Sequence, residues 1–379
     1  MPHFAEAHID LGAISGNVAA LRARAPHAQA MGVVKADGYG HGMLPAARAM
    51  LDGGATWLGT ALVEEALELR RAGITVPVVA WILPPSAPLS EAIAVGIDLG
   101  VSSLPVLDAV IAAAGAAGRT ARVHLKADTG LGRGGIMPAE WPAATAAAAR
   151  AEAAEQIEVI GVFSHFACSD EPGHPSIGAQ IAAFHEALAQ AEKAGLRPEV
   201  RHIANSAAAL TLPESHFDLV RLGIASYGLS PIPGLPDTGL RPAMTLRSEI
   251  ALVKRVPAGA GVSYGHRYTT DRPTSLALVP LGYADGVPRA ATNKGPVLAA
   301  GRRRTIAGTV CMDQFMLDIG DDNARPGDHA VLFGPGDDGE ATAQDWADVL
   351  DTIPYEIVTR IGARVPRGYT RPDGAGARG

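Results

Sequence analysis

Through the first two-thirds of the chain, short runs of aliphatic and β-branched residues alternate with longer stretches whose apolar positions recur at helical spacing. The runs Met31–Lys35, Thr56–Thr60, Val76–Leu83, Ile97–Val101, Arg122–Lys126, Val159–Ser164, Val200–Ala204 and Leu219–Leu222 read as strands. Between them lie helical patterns, clearest at Leu62–Ala72, Val106–Ala116, Pro138–Glu155 and Ile177–Ala194. Asp10 stands where an N-cap belongs, ahead of Ile14, Val18 and Leu21. Eight strands separated by helices over about 220 residues match a (β/α)8 barrel. An open doubly wound sheet has the same alternation, because strand count does not report closure.

From about Leu240 the pattern changes. Leu246–Val253, Ser275–Val279, Thr305–Thr309, Phe315–Ile319 and His329–Phe333 read as strands, with turn signals such as Ala258-Gly259 and Pro335-Gly336 and one helix at Ala343–Asp351. Pro231–Gly239, rich in proline and glycine, reads as the linker. The expected fold is α/β, an N-terminal (β/α)8 barrel over residues 12–235 followed by a mostly β C-terminal domain over residues 236–379. The tail after Arg371 reads as mobile.

Composition narrows the function. The 379 residues suit a large domain plus a smaller one, and 47% hydrophobic with 19% charged residues supports a packed core. A formal charge of -7 argues against a general nucleic-acid surface. Cys168 and Cys311 are too few for a disulfide framework and suit a reducing compartment. Met1–Gly12 has neither the basic start nor the apolar run of a secretory signal. The alanine-rich stretch Ala143–Ala154 carries Arg150 and Glu152, so no membrane span is expected. The expectation is a soluble, cytoplasmic protein.

Three short motifs invite chemistry that their surroundings do not support. Gly130-Leu-Gly-Arg-Gly-Gly135 has dinucleotide-loop spacing, but follows the fifth strand rather than opening the first βα unit. Gly261-Val-Ser-Tyr-Gly265 has the spacing of a hydrolase nucleophile elbow, but the residues after Ser263 make poor helix. A serine hydrolase is therefore a distant alternative. His165, Cys168 and His174 match no common closed zinc pattern, and no metal is expected.

Placement is more informative. Lys35 closes the first strand, and Lys126 ends the fifth with Arg133 in the loop beyond. His165 ends the sixth strand, Asn205-Ser206 end the seventh, and Arg221 lies near the end of the eighth before Gly223-Ile224. All fall on the face where barrel enzymes gather their function. Loops after strands seven and eight form the usual barrel phosphate site. A phosphate there, with Lys35 across the mouth, suits pyridoxal phosphate held as a Schiff base. A Schiff-base aldolase acting on a phosphorylated sugar would use similar parts, so both readings stand on these residues alone.

Val34-Lys-Ala-Asp-Gly-Tyr-Gly-His-Gly42 resembles the cofactor-lysine signature of the pyridoxal-phosphate-dependent alanine racemase family. His124–Arg133, Ser164-His-Phe166, Asn205-Ser206, Arg221–Ile224, Ser263-Tyr-Gly265, Gly282–Gly286 and Cys311–Gln314 resemble that family in the same order. The likeness runs from about Ala7 to Tyr369. It implies interconversion of L- and D-alanine, supplying D-alanine for peptidoglycan, by a homodimer with shared active sites. It implies that Lys35 bonds the cofactor and acts as base on one substrate face, with Tyr264 from the other subunit on the opposite face. Tyr39, Ser206, Gly223, Ile224 and Tyr355 would hold the phosphate. His165 would pack at the ring, and Arg221 would face its nitrogen. Arg133 would lie beside the phenolic oxygen and the substrate carboxylate. Met312 would bind near that carboxylate through its backbone, and Tyr283 would line the mouth. Lys126 matches a lysine often carbamylated in the family. The strand Ala7–Leu11 would join the C-terminal domain. The nearest alternative is a broad-specificity amino-acid racemase.

Overall fold

The structure, a computed structural model, describes residues 3–232, 234–235 and 238–370. Of the expected linker, Pro233, Pro236 and Asp237 lie outside the described residues, as does the tail from Arg371.

The chain opens with strand β1 (Ala5–Asp10). Asp10 ends that strand and caps the next helix, Leu11–Arg24, by accepting the Ala13 N–H at 3.0 Å. Leu11 is therefore helical rather than the end of the strand. Eight parallel strands then form one sheet: β2 (Gln29–Val33), β3 (Trp57–Thr60), β4 (Val78–Ala80), β5 (Asp98–Val101), β6 (Ala121–Lys126), β7 (Ile157–Phe163), β8 (Val200–His202) and β9 (Leu219–Leu222). Their order is β8-β7-β6-β5-β4-β3-β2-β9. The two end strands meet as well. Asp218 N–H donates to the Arg201 carbonyl at 3.1 Å, and Arg221 N–H donates to the Ala204 carbonyl at 3.0 Å. These bonds close the sheet and exclude the open, doubly wound alternative.

Strands β3, β4, β5 and β9 are buried at every position. A barrel strand lies between the interior and the helical ring, which explains continuous apolar runs in place of alternation. Met31, Trp57, Val79, Ile160, Val200 and Leu219 pack together as one cluster within the barrel. The expected strand Val76–Leu83 shrinks to β4, because Ile82 N–H turns to the Ala61 carbonyl at 2.8 Å and Pro84-Pro85 follow.

The C-terminal part is mostly β, with strands β10 (Met244–Glu249), β11 (Leu252–Val256), β12 (Gly261–Val262), β13 (Tyr268–Thr269), β14 (Thr274–Val279), β15 (Pro296–Ala299), β16 (Arg302–Thr305), β17 (Phe315–Gly320), β18 (His329–Phe333) and β19 (Arg367–Thr370). Its six-stranded sheet runs β16-β15-β18-β10-β1-β19, so β1 lies between β10 and β19. The single strand expected at Leu246–Val253 is really β10 and β11, which belong to different sheets. The strand expected at Thr305–Thr309 ends at Thr305; Gly308 N–H instead donates to the Asn293 side chain at 2.6 Å. Among the described residues no helix is long and apolar enough to cross a membrane.

Candidate active site

Beyond β2 the backbone turns the wrong way. Ala36, Asp37, Gly38 and Tyr39 have φ of 54, 52, 60 and 53°, and Gly40 has 81°. Left-handed geometry costs about 1–2 kcal/mol per residue that carries a Cβ. Side chains hold the turn in place. Glu65 accepts the Ala36 N–H at 2.7 Å, and Asp37 accepts the Met43 N–H at 2.8 Å. The second bond starts the helix Met43–Asp52, which local periodicity did not announce because its capping group lies six residues upstream across the turn. From the C-terminal part, Arg367 Nε donates to the Gly40 carbonyl at 3.1 Å. Lys35 thereby points from a fixed base.

It points into a cavity of about 630 Å³ at the C-terminal ends of the barrel strands. Lys35, Lys126, Arg133 and Arg221 line this cavity, and no aspartate or glutamate does so among the described residues. Burial, then the charges of Arg133 and Arg221, hold the Lys35 amine below its usual range. Burial and the same two arginines bring Lys126 down to about 8. Burial brings Arg221 down to about 10, which still leaves it a cation at neutral pH. Burial, then Arg221, pushes His165 well below the usual histidine range, so that ring is neutral.

One wall is a backbone cradle. Ser206 Oγ accepts Gly223 N–H at 2.9 Å and Ala225 N–H at 3.4 Å. A Cβ on Gly223 would lie 2.6 Å from the Tyr39 hydroxyl, so only glycine leaves this wall open. The Tyr39 and Tyr355 rings stand 6.2 Å apart, and burial raises both phenols, which keeps them as neutral donors. Arg221 is held more tightly than any other cation in the cavity. Its terminal nitrogens donate to the backbone carbonyls of Ser164, His202 and Ile203 at 2.8, 3.1 and 3.0 Å. They also meet His165 Nδ1 at 3.0 Å and His202 Nδ1 at 3.1 Å.

Family models match nearly the whole described chain: "Alanine racemase, N-terminal domain" over residues 9–231 and "Alanine racemase, C-terminal domain" over residues 243–369. The chain belongs to the alanine racemase family. An alanine racemase of Thermobifida fusca is 70% identical over 98% of this chain and 99% of its own length. The solved alanine racemase of Streptomyces lavendulae superposes with a TM-score of 0.96 at 59% identity, covering 98% of each chain. That of Streptomyces coelicolor gives a TM-score of 0.95 at 59% identity, covering 97% of this chain and 98% of its own.

In this alanine racemase family member, the cavity gathers Lys35, Tyr39, Lys126, Arg133, His165, Ser206, Arg221, Gly223, Ile224 and Tyr355. Tyr264, Met312 and Tyr283 are not among its lining. They lie on the C-terminal part at 74, 53 and 44% exposure. Tyr283 N–H donates to the Cys311 carbonyl at 3.1 Å, Ala284 N–H to the Met312 carbonyl at 3.0 Å and Thr309 Oγ1 to the Tyr264 carbonyl at 2.7 Å, so Tyr264 and Tyr283 are both tied to the segment 309–312 that carries Met312.

The misleading motifs resolve into structural parts. Ser263 donates to the Thr309 carbonyl at 2.7 Å and precedes a 3-10 turn rather than a helix, so it is no hydrolase nucleophile. The loop at Gly130–Gly135 wraps the Asp128 carboxylate, which accepts Gly130 and Gly132 N–H at 2.9 and 3.2 Å. Among the described residues no His, Cys, Asp and Glu group suits a metal.

Several contributors had no sequence signal. Trp81, Ile82, Leu83 and Pro84 line the cavity. Glu65 reaches the turn after Lys35, and Gln180 ties the His165 carbonyl (3.0 Å) to Ala167 N–H (2.9 Å). Glu65 does stand three residues into a helix, where carboxylates commonly reach back to the backbone. That position alone does not reveal its bond to Ala36.

Proposed function

We propose that this chain interconverts L- and D-alanine, using pyridoxal phosphate and two bases drawn from two subunits of a homodimer. One observation carries the cofactor reading: among the described residues, four cations and no carboxylate line a cavity beside an open backbone cradle. Such a site favours an occupant with several negative charges, and a phosphate together with a substrate carboxylate meets that demand. The residues fit the group. Ser206, Gly223, Ile224, Tyr39 and Tyr355 would hold the phosphate, His165 would pack on the ring, and Lys35 would bond the aldehyde carbon.

When bound, pyridoxal phosphate supplies a ring that spreads the charge left when the substrate loses its α-proton. The rest falls to the chain. Lys35 Nζ, with its affinity for protons lowered by burial and by Arg133, moves a proton on one face of the substrate carbon. Tyr264 Oη serves the opposite face, and its exposure and absence from the cavity lining support its delivery to a second copy. Arg133 would orient the substrate carboxylate, with the Met312 backbone beside it and Tyr283 at the mouth, both delivered like Tyr264 by the second copy, since neither lines the cavity of its own chain. Arg221 stays cationic at neutral pH and, as a pure donor, would oppose protonation of the ring nitrogen of a bound cofactor and so limit side transamination. Lys126, carbamylated, would become an anion that steadies Arg133.

We place the barrel at residues 12–235 and the second domain at 236–379 together with residues 1–11, following the pairing of β1 with β10. Two free cysteines support a cytoplasmic location. The D-alanine product suits supply of cell-wall peptidoglycan.

The test is borohydride reduction of the holoenzyme followed by peptide mapping. Lys35 should carry the label, with loss of a visible absorption band. A label elsewhere, or no cofactor after reconstitution, rejects the reading. Racemisation of alanine should exceed that of serine and lysine. An apolar pocket rejects an added methylene by only about 1–3 kcal/mol, so comparable rates would favour the broad-specificity alternative.

A further inference from the structure

A buried polar chain runs through the barrel interior beneath the active site. Arg122, at the N-terminal end of β6, donates from Nε to Asp98 Oδ1 at 2.8 Å. Asp98 Oδ2 lies 3.3 Å from His124 Nε2, His124 Nδ1 lies 2.9 Å from His202 Nε2, and His202 Nδ1 lies 3.1 Å from an Arg221 terminal nitrogen. Asp98, His124, His202 and Arg221 are 1, 0, 1 and 6% exposed.

The proton positions follow from the two ends. A guanidinium can only donate, so His202 Nδ1 must accept and carries no hydrogen. The proton of neutral His202 then sits on Nε2 and is donated to His124 Nδ1. His124 in turn carries its proton on Nε2 and donates it to the Asp98 carboxylate. Every donor meets an acceptor in one arrangement, and reversing either ring would set two N–H groups or two lone pairs face to face. Burial, then the charge of Arg221, keeps His202 well below the usual histidine range.

The surroundings are shaped to hold these rings. A Cβ at position 161 would lie 2.2 Å from His124 Nδ1, so only glycine admits the imidazole. Phe163 stacks on His202 at 4.9 Å and an interplanar angle of 5°, and Trp57 meets His124 edge-on at 5.6 Å.

We propose that Asp98 is a positioning residue for Arg221, acting through His124 and His202 as a one-way hydrogen-bond relay that fixes the guanidinium in the cavity wall. The Arg221 terminal nitrogens are taken by the relay, His165 and backbone carbonyls, which leaves Nε–H as the one donor of this guanidinium with no partner among the described residues. This role rests on the pyridoxal phosphate reading; the relay itself does not.

The two can be tested apart. In 15N-histidine-labelled enzyme stripped of cofactor, His124 and His202 should both be neutral Nε2–H tautomers at neutral pH. An Nδ1–H tautomer or an imidazolium at either position overturns the relay, whatever the cofactor. In the holoenzyme, Asp98→Asn should lower kcat about tenfold, the scale on which outer hydrogen-bond partners act, with little change in KM. It should also raise pyruvate formation relative to racemisation and shift the His124 and His202 nitrogen resonances. A folded, cofactor-loaded variant with wild-type kcat and product ratio overturns the positioning role. Should the variant not fold, His202→Gln provides the kinetic test with the same two outcomes, because it loses the acceptor geometry facing Arg221 but leaves the Asp98–Arg122 pair.

Discussion

The carboxylate of Glu65 accepts the backbone N–H of Ala36, 2.7 Å away and directly after Lys35. Its other oxygen accepts Ala61 and Leu62 N–H at 2.9 and 3.0 Å. One side chain thus joins the end of the first barrel strand to the loop after the second, and holds a left-handed turn that the backbone would otherwise abandon. Hydrogen bonds to charged groups contribute about 1.5–3 kcal/mol each. Glu65→Ala should therefore lower the thermal midpoint by several degrees and speed cofactor loss. Glu65→Gln, with one carbonyl oxygen instead of two carboxylate oxygens, should fall between. Differential scanning fluorimetry and the decay of the visible band after dilution check this, and unchanged values for both variants reject it.

Lys126 offers a pH dependence. Only the uncharged amine takes up carbon dioxide. Its proton affinity lies at about 8, against 10.5 for an ordinary lysine, so raising pH through 8 frees the amine earlier than elsewhere on the protein. With 13C-labelled bicarbonate, a carbamate carbonyl signal should grow as pH rises through about 8, and Lys126→Ala should abolish it. A signal that survives the substitution belongs to another amine.

Arg221 should decide how turnover divides between racemisation and transamination. Replacing it with glutamate supplies a proton-accepting partner where a permanent donor stood, so the ring nitrogen can be protonated. Pyruvate and pyridoxamine phosphate should rise relative to racemised alanine. An unchanged ratio with fold and cofactor intact shows that Arg221 does not set this partition.

Tyr264 and Lys35 should come from different subunits. Lys35→Ala and Tyr264→Phe proteins, each inactive, are mixed in equal amounts, dissociated and reassociated. Half of randomly formed dimers are then mixed, and each holds one intact site, so about a quarter of all sites regain activity. If both residues served the same site from one chain, every site would keep a defect. Activity that does not rise after verified exchange rejects the shared site.

Read from its residues, this chain already contained the strand count of the barrel, the change to a β domain near Leu240, and the placement of Lys35, Lys126, Arg133, His165, Ser206 and Arg221 on one rim. These are local properties, because hydrophobic period and strand ends are set by neighbours along the chain. Closure was not local. It depends on Asp218 meeting Arg201 and Arg221 meeting Ala204, across the last βα unit. The relay from Asp98 to Arg221 was equally hidden. Its members stand on β5, β6, β8 and β9, where each alone reads as a polar residue in an apolar strand. Only the curvature of the closed sheet brings these side chains to one interior, where low dielectric and the lack of water make their pairing obligatory.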